Sequence, residues 1–341
     1  GEIQAALDYV NAQGGGKVLV LPGTYRITSP LTIYSDTIME GISVNDCILD
    51  FNNTSNNLST ESGGNNIQIT SVTLKNSLNV LGAIVLNAAL FPKISNCIFT
   101  GNLLGYDIYS SGSNTIKIQD CFSTDSGGFF SGNSIASQGQ GFISGNRIVR
   151  SSGYVFFGQG GNGGGVTTYS NNHIFFPTKT IIKGLFNFGK FVNNVFSFSA
   201  TLTETVIDIS SSTSVTFMGN LSNSQSSPAQ ALKLTSCSRM FFSSNDIGGS
   251  GITLTTTSEC YFNNNKVFTP STHGITLNNV DDSMFTGNRV FVTSGASGKD
   301  AINISNGSDR NVITGNTIET QSTGTAYAVN IGTGCFSTAV V

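Results

Sequence analysis

The chain has 341 residues, of which only 10% are charged and 40 are glycine, and its formal net charge is −3. Typical soluble proteins carry roughly 25% charged residues, and long helices draw on Glu and Lys as well as Ala and Leu, so the composition favours an all-β fold. The sequence contains no basic cluster that would bind nucleic acid and no run of about 18 apolar residues that would span a membrane.

The first predicted element is a short amphipathic helix. In EIQAALDYVNAQGGG, Ile3, Ala6, Leu7 and Val10 fall on one helical face, and three glycines follow. Glycine commonly ends a helix, and the open end of a stack of strands needs a cap because its backbone groups are unpaired. The sequence therefore predicts a capping helix within residues 1–16, ahead of one continuous domain in residues 17–341.

The rest of the chain repeats a short pattern around an asparagine, as in MFTGNRV and VITGNTI. This anchor residue recurs at Asn146, Asn172, Asn194, Asn220, Asn245, Asn265, Asn288 and Asn316. A variant with one residue fewer before the anchor extends the series backwards to Asp46, Asn76, Asn96 and Asp120. A second strand pattern precedes the anchors, such as GITL at 251 and again at 274.

Short repeats of this kind are typical of solenoids, in which each coil packs on the next. We predict a single-stranded parallel β-helix of about twelve coils with three short strands per coil. Asn tolerates left-handed turns, and its amide can bond the same amide in the next coil, so the anchors predict an Asn ladder. The last pattern, AVNIGTGCFSTAVV, stops within a coil, so we expect another chain to cover this end or the natural protein to continue.

The segment IQAALDYVNAQGGGKVLVLPGTYRITSPLTI resembles the N-terminal module of the pectate-lyase-like, right-handed parallel β-helix superfamily. That superfamily includes secreted pectinases, related polysaccharide lyases and hydrolases, and bacteriophage tailspikes. The resemblance covers essentially the whole chain and implies the fold more strongly than an activity, since one fold hosts many functions.

The enzymatic motifs of the family are incomplete here. Polygalacturonase-type hydrolases carry NTD, DD and GHG elements along a groove, whereas this chain has Asp281–Asp282 and THG at 272–274 but no NTD or RIK-like element. The calcium-binding aspartates of pectate lyases are also not visible. The chain is thus closest in character to the tailspikes.

The resemblance implies that ligands lie along the first strand of each coil. Its third residue is predicted to face outward, which gives the column Val85, Asp107, Phe130, Val155, Ile182, Asp208, Lys233, Thr253, Thr276, Asn303 and Asn330. Phe130, Val155 and Ile182 would form an exposed apolar stripe. A trimer partner or a loop would cover this stripe, or Phe130 would offer an aromatic platform to a sugar ring.

Other members of the column are polar. Asp208 should stack beneath Lys233, either as a surface ion pair or as the floor of a groove for a hydroxyl-rich ligand. His273, on the loop before GITL, is either a ligand contact or an ordinary loop residue.

Counting six residues back from the anchors places Arg239, Glu259, Asp282 and Arg310 in four successive coils. Glycoside hydrolysis needs two carboxyl groups about 5–9.5 Å apart, and their proximity would raise one pKa and leave that group protonated. Glu259 and Asp282 are therefore the candidate catalytic pair, with Arg239 and Arg310 as substrate-binding residues. The alternative is a structural ladder of alternating charge.

The cysteines and histidines form no metal-binding motif. None of the six cysteines lies in a CxxC pair, and His173 and His273 are the only histidines. Zinc sites combine several such ligands at short spacings, so we predict no metal and no cofactor.

Three functions remain open. The first is a tailspike-like homotrimer, extracellular or on a phage tail, that binds and could depolymerise a bacterial surface polysaccharide. The second is a secreted polysaccharide lyase or glycoside hydrolase that acts alone. The third is a non-catalytic β-helix of a viral or extracellular fibre.

Overall fold

The computed structural model describes residues 2–133, 140–159, 166–198, 204–224, 230–269, 272–293, 298–321 and 324–341. The chain divides into two compact units, Gly1–Phe175 and Phe176–Val341. Both units consist almost entirely of short parallel strands, with one helix at the start of the first unit. The predicted single domain in residues 17–341 stays a prediction.

The helix α1 (Glu2–Ala12) buries Ile3 and Leu7 against the strands that follow it. The glycine stop is confirmed, because Gly15 has a φ of 117° and a Cβ built there would lie 2.8 Å from the carbonyl oxygen of Asp36. Only glycine avoids this contact while keeping a left-handed φ. Within the described residues, no helix is long and apolar enough to cross a membrane.

The strands of the first unit are short, and most have three to six residues. In chain order they are β1 (Gly16–Val20), β2 (Gly23–Arg26), β3 (Leu31–Ile33), β4 (Thr37–Gly41), β5 (Cys47–Thr54), β6 (Leu58–Thr60), β7 (Gln68–Thr70), β8 (Thr73–Ser77), β9 (Gly82–Asn87), β10 (Lys93–Ser95), β11 (Ile98–Thr100), β12 (Tyr106–Ser111), β13 (Ile116–Gln119), β14 (Phe122–Thr124), β15 (Gly128–Asn133), β16 (Gln140–Ser144), β17 (Arg147–Val149), β18 (Phe156–Gln159), β19 (Val166–Ser170) and β20 (His173–Phe175).

The strands of the second unit are similar in length. They are β21 (Ile182–Leu185), β22 (Lys190–Val192), β23 (Val195–Phe198), β24 (Ile207–Ser210), β25 (Thr216–Met218), β26 (Leu221–Ser224), β27 (Leu232–Thr235), β28 (Phe241–Ser243), β29 (Asp246–Gly248), β30 (Ile252–Ser258), β31 (Tyr261–Asn263), β32 (Lys266–Thr269), β33 (Ile275–Asp281), β34 (Met284–Thr286), β35 (Arg289–Val292), β36 (Ile302–Ser305), β37 (Val312–Thr314), β38 (Thr317–Thr320), β39 (Val329–Ile331) and β40 (Ala339–Val340).

Every third strand joins the same parallel sheet. In the first unit, sheet A is β1-β4-β7-β10-β13-β16-β19, sheet B is β2-β5-β8-β11-β14-β17-β20 and sheet C is β3-β6-β9-β12-β15-β18. In the second unit, sheet A is β22-β25-β28-β31-β34-β37-β40, sheet B is β23-β26-β29-β32-β35-β38 and sheet C is β21-β24-β27-β30-β33-β36-β39. The predicted all-β solenoid of about twelve coils, with three strands per coil and an N-terminal helix, is confirmed.

The Asn ladder is confirmed as well. In the second unit, Asn245 Nδ2 donates to Asn265 Oδ1 at 2.9 Å, and Asn245 Oδ1 accepts from Asn220 Nδ2 at 2.9 Å. The same amide bond links the other ladder neighbours of this unit, from Asn194 to Asn316, and links Asn146 to Asn172 in the first unit. The residue before each ladder Asn turns the chain with a left-handed φ, for example 54° at Asn264.

In the shorter form of the repeat, the predicted anchor lies one residue before the ladder position. Asn96 and Asp120 have φ values of 51° and 53°, so they make the turn, while Cys97 and Cys121 take the ladder position. The backbone N–H of Cys121 donates to the Oδ1 of Asn146 accordingly. The predicted anchor at Asn76 is wrong. Strand pairing aligns Ser71, and not Asn76, with Asn96, and Ser71 makes the turn with a φ of 58°. Both cysteines are buried and free.

Apolar side chains fill the inside of each unit. In the second unit, five phenylalanine rings lie nearly parallel in adjoining coils, with centroids 4.4–5.1 Å apart, at Phe191, Phe217, Phe242, Phe262 and Phe285. Stacked rings of this kind add to the stabilisation from burial alone. The inward side of every sheet is thereby committed to packing, so ligand chemistry must come from the outward faces and the turns.

Candidate functional site

The outer face of sheet C in the second unit presents a column of polar side chains. Strand pairing stacks one outward residue of each coil on the next, in the order Lys183, Asp208, Lys233, Thr253, Thr276, Asn303 and Asn330. All seven are half-buried, whereas their chain neighbours such as Ile252 and Leu254 are buried. The predicted stacking of Asp208 on Lys233 is confirmed. The face offers ammonium, carboxylate, hydroxyl and amide groups in a line.

Hydrogen bonds hold part of this column in place. Gln230 Nε2 donates to the Thr253 hydroxyl at 2.8 Å. Asn330 Nδ2 lies 3.2 Å from Asn303 Oδ1 and 3.1 Å from Asp300 Oδ2, and it donates to both. These bonds fix the positions of Thr253, Asn303 and Asn330, and the half-buried column stays partly accessible to a ligand.

His273 lies on the loop just before strand β33 of sheet C, as the sequence predicted. Its Nδ1 accepts a hydrogen bond from the backbone N–H of Asp300 at 2.9 Å, so the neutral ring carries its proton on Nε2. Burial lowers the pKa of His273, against the opposing effect of the Asp300 carboxylate 3.5 Å away. Since 26% of its side chain is exposed, neutral His273 can donate one hydrogen bond from the rim of the column.

The outer face of sheet C in the first unit is aromatic. Strand pairing aligns Tyr109, Ser131 and Phe157 in adjoining coils. Phe157 also stacks with Tyr106, with centroids 6.2 Å apart, and with Tyr154, with centroids 5.4 Å apart. Burial raises the pKa of Tyr106, so its hydroxyl stays neutral. We call Tyr106, Tyr109, Tyr154 and Phe157 the aromatic patch.

The predicted exposed stripe of Phe130, Val155 and Ile182 is wrong, because all three are buried, Phe130 to 1% exposure. Phe130 pairs with Ile108 and Phe156, on the inward side of the strand. Strand pairing aligns Val85 with Tyr109, Ser131 and Phe157. The alignment of GYDI and GYVF with AIVL is therefore off by two residues, and the position of Phe130 is off by one. Phe130 therefore cannot face a ligand, and the aromatic patch takes the surface that it was expected to occupy.

Asp107 was also predicted to face outward, and the same register shift buries it completely. Its carboxylate accepts hydrogen bonds from Asn102 Nδ2 at 2.9 Å, Ser123 Oγ at 2.5 Å and Ser126 Oγ at 2.7 Å. Burial raises the pKa of Asp107 to about 7, although the three donors oppose this shift. The group lies inside the coil and has no access to a ligand on the outer face.

The predicted charge column is present at the turn between sheets C and A. The backbone N–H of Glu259 bonds to Asp281, next to Asp282, so the two carboxyl-bearing residues lie in adjoining coils. Glu259 pairs with Arg239 at 3.2 Å, and Asp282 makes a two-point contact with Arg310 at 2.6 and 2.9 Å. All four side chains are exposed.

The chemistry of this column is that of two ion pairs. Hydrogen bonding from Arg310 lowers the pKa of Asp282, so this carboxyl is ionised at neutral pH. A general acid needs the opposite shift. The charge column thus lies at a turn, whereas the polar column lies on the strands of sheet C. It does not present a protonated carboxyl at Asp282. Catalytic roles for Glu259 and Asp282, and binding roles for the arginines, stay predictions.

In the described part of the chain, no group of three or more His, Cys, Asp and Glu side chains is placed to hold a metal ion. A family model described as "Periplasmic copper-binding protein (NosD)" matches residues 187–333. The copper in that description has no matching donor set among the residues that the structure describes. No curated protein gives a significant match to the sequence.

Several solved structures share the fold. The A-module of mannuronan C-5 epimerase AlgE6 from Azotobacter vinelandii has a TM-score of 0.63 and 14% identity, with 99% of this chain and 93% of the epimerase module covered. Tailspike protein 3 of bacteriophage CBA120 has a TM-score of 0.64 and 12% identity, over 97% of this chain and 58% of the tailspike.

A third similar structure is the tailspike of E. coli bacteriophage HK620, solved as a point mutant in complex with a pentasaccharide. It has a TM-score of 0.52 and 13% identity, over 91% of this chain and 66% of the tailspike. At such identities the likeness concerns the fold. The resemblance read from the sequence is confirmed at that level: this protein has the pectate-lyase-like, right-handed parallel β-helix fold, shared with phage tailspikes.

Proposed function

We propose that this protein is a tailspike-like β-helix that binds a bacterial surface polysaccharide along the outer face of sheet C in the second unit. The observation that carries the proposal is the polar column of the second unit, in which hydroxyl and amide groups repeat once per coil. Coils are about 4.8 Å apart, so the column is a regular row of hydrogen-bonding groups. A regular row suits a ligand that is itself a hydroxyl-rich polymer.

The aromatic patch supports the same ligand class. Tyr109 and Phe157 lie on the outer face with Tyr106 and Tyr154 at its edge, and none of the four is fully buried. Flat apolar rings with a polar tip suit a ligand with one apolar and one polar side. Sugar rings have this character, so the patch can stack on them.

The structural neighbours support a saccharide ligand without naming it. One is an epimerase of mannuronan, and another was solved with a pentasaccharide. These neighbours do not identify individual sugar-binding residues in this chain, because identities of 12–14% do not align individual side chains.

At Glu259 and Asp282, the geometry favours ion pairing with the arginines over cleavage of a glycan. Both carboxylates are engaged by arginines, and the lowered pKa of Asp282 suits an ion pair rather than a proton donor. Depolymerisation, whether by a hydrolase or a lyase, therefore stays the alternative. Release of reducing ends or of unsaturated products from a bound glycan, lost in Glu259→Gln or Asp282→Asn, would establish it.

We further propose that the protein acts outside the cytoplasm, on a virion or at the cell exterior, and that it assembles as a homotrimer. Tailspikes among the structural neighbours belong to phages, and the matching family model is described as periplasmic. An outward row of apolar side chains on sheet A of the second unit supports self-association.

The binding proposal is tested with a panel of bacterial surface polysaccharides and isothermal titration. The variant Thr253→Ala/Thr276→Ala removes two adjacent hydroxyls of the column, and we expect about tenfold weaker binding. Thr314→Ala/Thr317→Ala removes two hydroxyls from the outer faces of sheets A and B and is the matched control, expected to bind as the unmodified protein does. Equal affinities in both variants, or no binding to any glycan, would contradict the proposal.

A further inference from the structure

A groove lies on the outer face of sheet A in the first unit, away from sheet C. It has a volume of about 480 Å³ and is open to solvent. The side chains that characterise its lining are Gln68, Phe91, Lys93, Lys117, Gln119 and Phe142.

The floor of this groove is a row of four side chains in adjoining coils. Strand pairing puts Gln68 opposite Lys93, Lys93 opposite Lys117, and Lys117 opposite Phe142. Three strand spacings of about 4.8 Å make the row about 14 Å long. It presents an amide, two ammonium groups and an aromatic ring in sequence.

The two lysines are not neutralised by the protein. Neither ammonium group lies within 4.0 Å of a carboxylate in the described part of the chain. Like charges directly opposite each other in neighbouring strands destabilise a sheet. Lys93 and Lys117 therefore hold positive charge in the groove at some cost to stability.

Several other charges on the outer faces pair with a charge of opposite sign in the adjoining coil. On the same sheet A, Lys17 pairs with Glu40. On sheet B, Lys266 pairs with Asp246 at 2.9 Å, and at the turn after this sheet Arg150 pairs with Asp125 at 3.0 Å. By contrast, Lys93 and Lys117 stack directly on each other without a carboxylate within 4.0 Å among the described residues, and they fit an anionic group supplied by a ligand.

The rest of the lining suits a sugar that carries this anionic group. Phe142 at the end of the row and Phe91 at the groove edge are exposed rings that can pack on the apolar side of a pyranose. Gln68 and Gln119 add amide groups for hydroxyls. A nucleic acid is a poorer fit, because the whole chain has a net charge of −3.

We propose that this groove is a second saccharide site, specific for an acidic sugar whose carboxylate lies between Lys93 and Lys117. The ligand class rests on the proposed function, but the site is separate from sheet C. The acidic unit would belong to the same polysaccharide or to another anionic glycan, and the chemistry that recognises it is the same.

The test uses the full chain and uronic-acid oligosaccharides, with their carboxyl-reduced, neutral forms as comparison ligands, in isothermal titration. We expect the acidic form to bind at least about tenfold more tightly than the reduced form, and this preference to shrink in about 0.5 M salt. Lys93→Gln/Lys117→Gln should remove the preference. Lys17→Gln/Lys266→Gln makes the same change in net charge on paired lysines and should keep it.

Each result separates this site from sheet C. If Thr253→Ala/Thr276→Ala weakens glycan binding but Lys93→Gln/Lys117→Gln leaves uronate binding intact, the second site is overturned and the proposed function stands. If no saccharide binds to any form, both fail. If Lys93→Gln/Lys117→Gln alters only the mass of the protein in solution, the groove is a contact between copies of the chain, which also overturns the site.

Discussion

The carboxyl group of Asp107 is enclosed by neutral donors, with no cation among its hydrogen-bond partners. Its pKa rises from 3.8 to about 7 on folding, because burial disfavours the charged form. The folded state therefore binds a proton more tightly than the unfolded state in this range. By linkage, the contribution of Asp107 to stability is greatest below about pH 4 and is lost as the pH rises towards about 7.

We predict that Asp107→Asn removes this pH dependence. The asparagine is neutral at every pH, so the stability of the variant relative to the unmodified protein should rise between about pH 4 and pH 7, by up to about 4 kcal/mol for a shift of about three units. Urea unfolding at pH 4, 5.5 and 7.5 measures it. The exposed Asp120→Asn is the control, and parallel curves for Asp107→Asn and the unmodified protein would contradict the raised pKa.

A second prediction concerns the charge column. Arg310 donates to both oxygens of Asp282 and so lowers its pKa. In Arg310→Gln the pKa of Asp282 should return towards the ordinary value, which an NMR titration of side-chain carboxyl carbons would follow. Arg239→Gln, which removes the partner of Glu259 instead, should leave the Asp282 titration nearly unchanged. No change in Arg310→Gln would show that the ion pair does not persist in solution.

At the scale of the element, the ladder turn joins sheets A and B in each coil. Asn245 is buried, and besides its two ladder bonds its Nδ2 donates to the carbonyl of Phe217 at 3.0 Å. Its Oδ1 also accepts the backbone N–H of Asn220 at 3.0 Å. Removing this amide leaves buried partners on both neighbouring coils without a hydrogen bond, and such groups are costly to leave unpaired.

We therefore expect Asn245→Ala to lower the free energy of unfolding by about 2–4 kcal/mol. Asn263→Ala is the matched control, because Asn263 is exposed on the neighbouring strand β31, and its loss should change stability by less than about 0.5 kcal/mol. Chemical denaturation with a fixed m-value measures both. Equal effects of the two substitutions would mean that the ladder contributes little.

The ladder also explains which elements could be predicted from the sequence. Wherever Asn follows a turn residue, as at Asn265 and Asn288, the sequence repeat places the coils correctly. At Ser71 and Val72 the same turn carries no Asn or Asp. The nearby Asn76 was therefore assigned to this turn incorrectly. The pattern GITL fixed the outward position of Thr253 and Thr276, because apolar residues flank each on both sides.

The aromatic patch could not be predicted in the same way. From Tyr154 to Phe157, apolar and aromatic residues are consecutive, so alternation does not say which side of the strand faces inward. Next to Tyr106, the polar Asp107 suggests an outward position although it is buried. Only the pairing of Phe130 with Ile108 decides it. The sequence left two interpretations of the charge column open, a catalytic pair and a ladder of alternating charge, because counting residues places Arg310 beside Asp282 but does not orient either side chain.

At the scale of the whole molecule, the apolar residues that remain exposed bear on assembly. Strand pairing on sheet A of the second unit stacks Phe241, Tyr261 and Met284, which are 44%, 38% and 42% exposed. The rings of Phe241 and Tyr261 lie nearly parallel, 5.2 Å apart. Contiguous apolar surface of this kind usually marks an interaction site, and the proposed homotrimer gives it a partner.

We predict that light scattering gives a mass three times the chain mass of 35.7 kDa. Phe241→Lys/Tyr261→Lys places two charges in the row, and burying them at an interface would be costly, so this variant should be a monomer with unchanged circular dichroism. Phe268→Lys/Phe291→Lys, on the outer face of sheet B where these rings also stack at 5.4 Å, is the control and should stay trimeric. A monomeric unmodified protein would contradict the trimer. A trimer that persists in Phe241→Lys/Tyr261→Lys would instead move the interface away from sheet A, because two buried lysines cannot be accommodated in a packed contact without a partner of opposite charge.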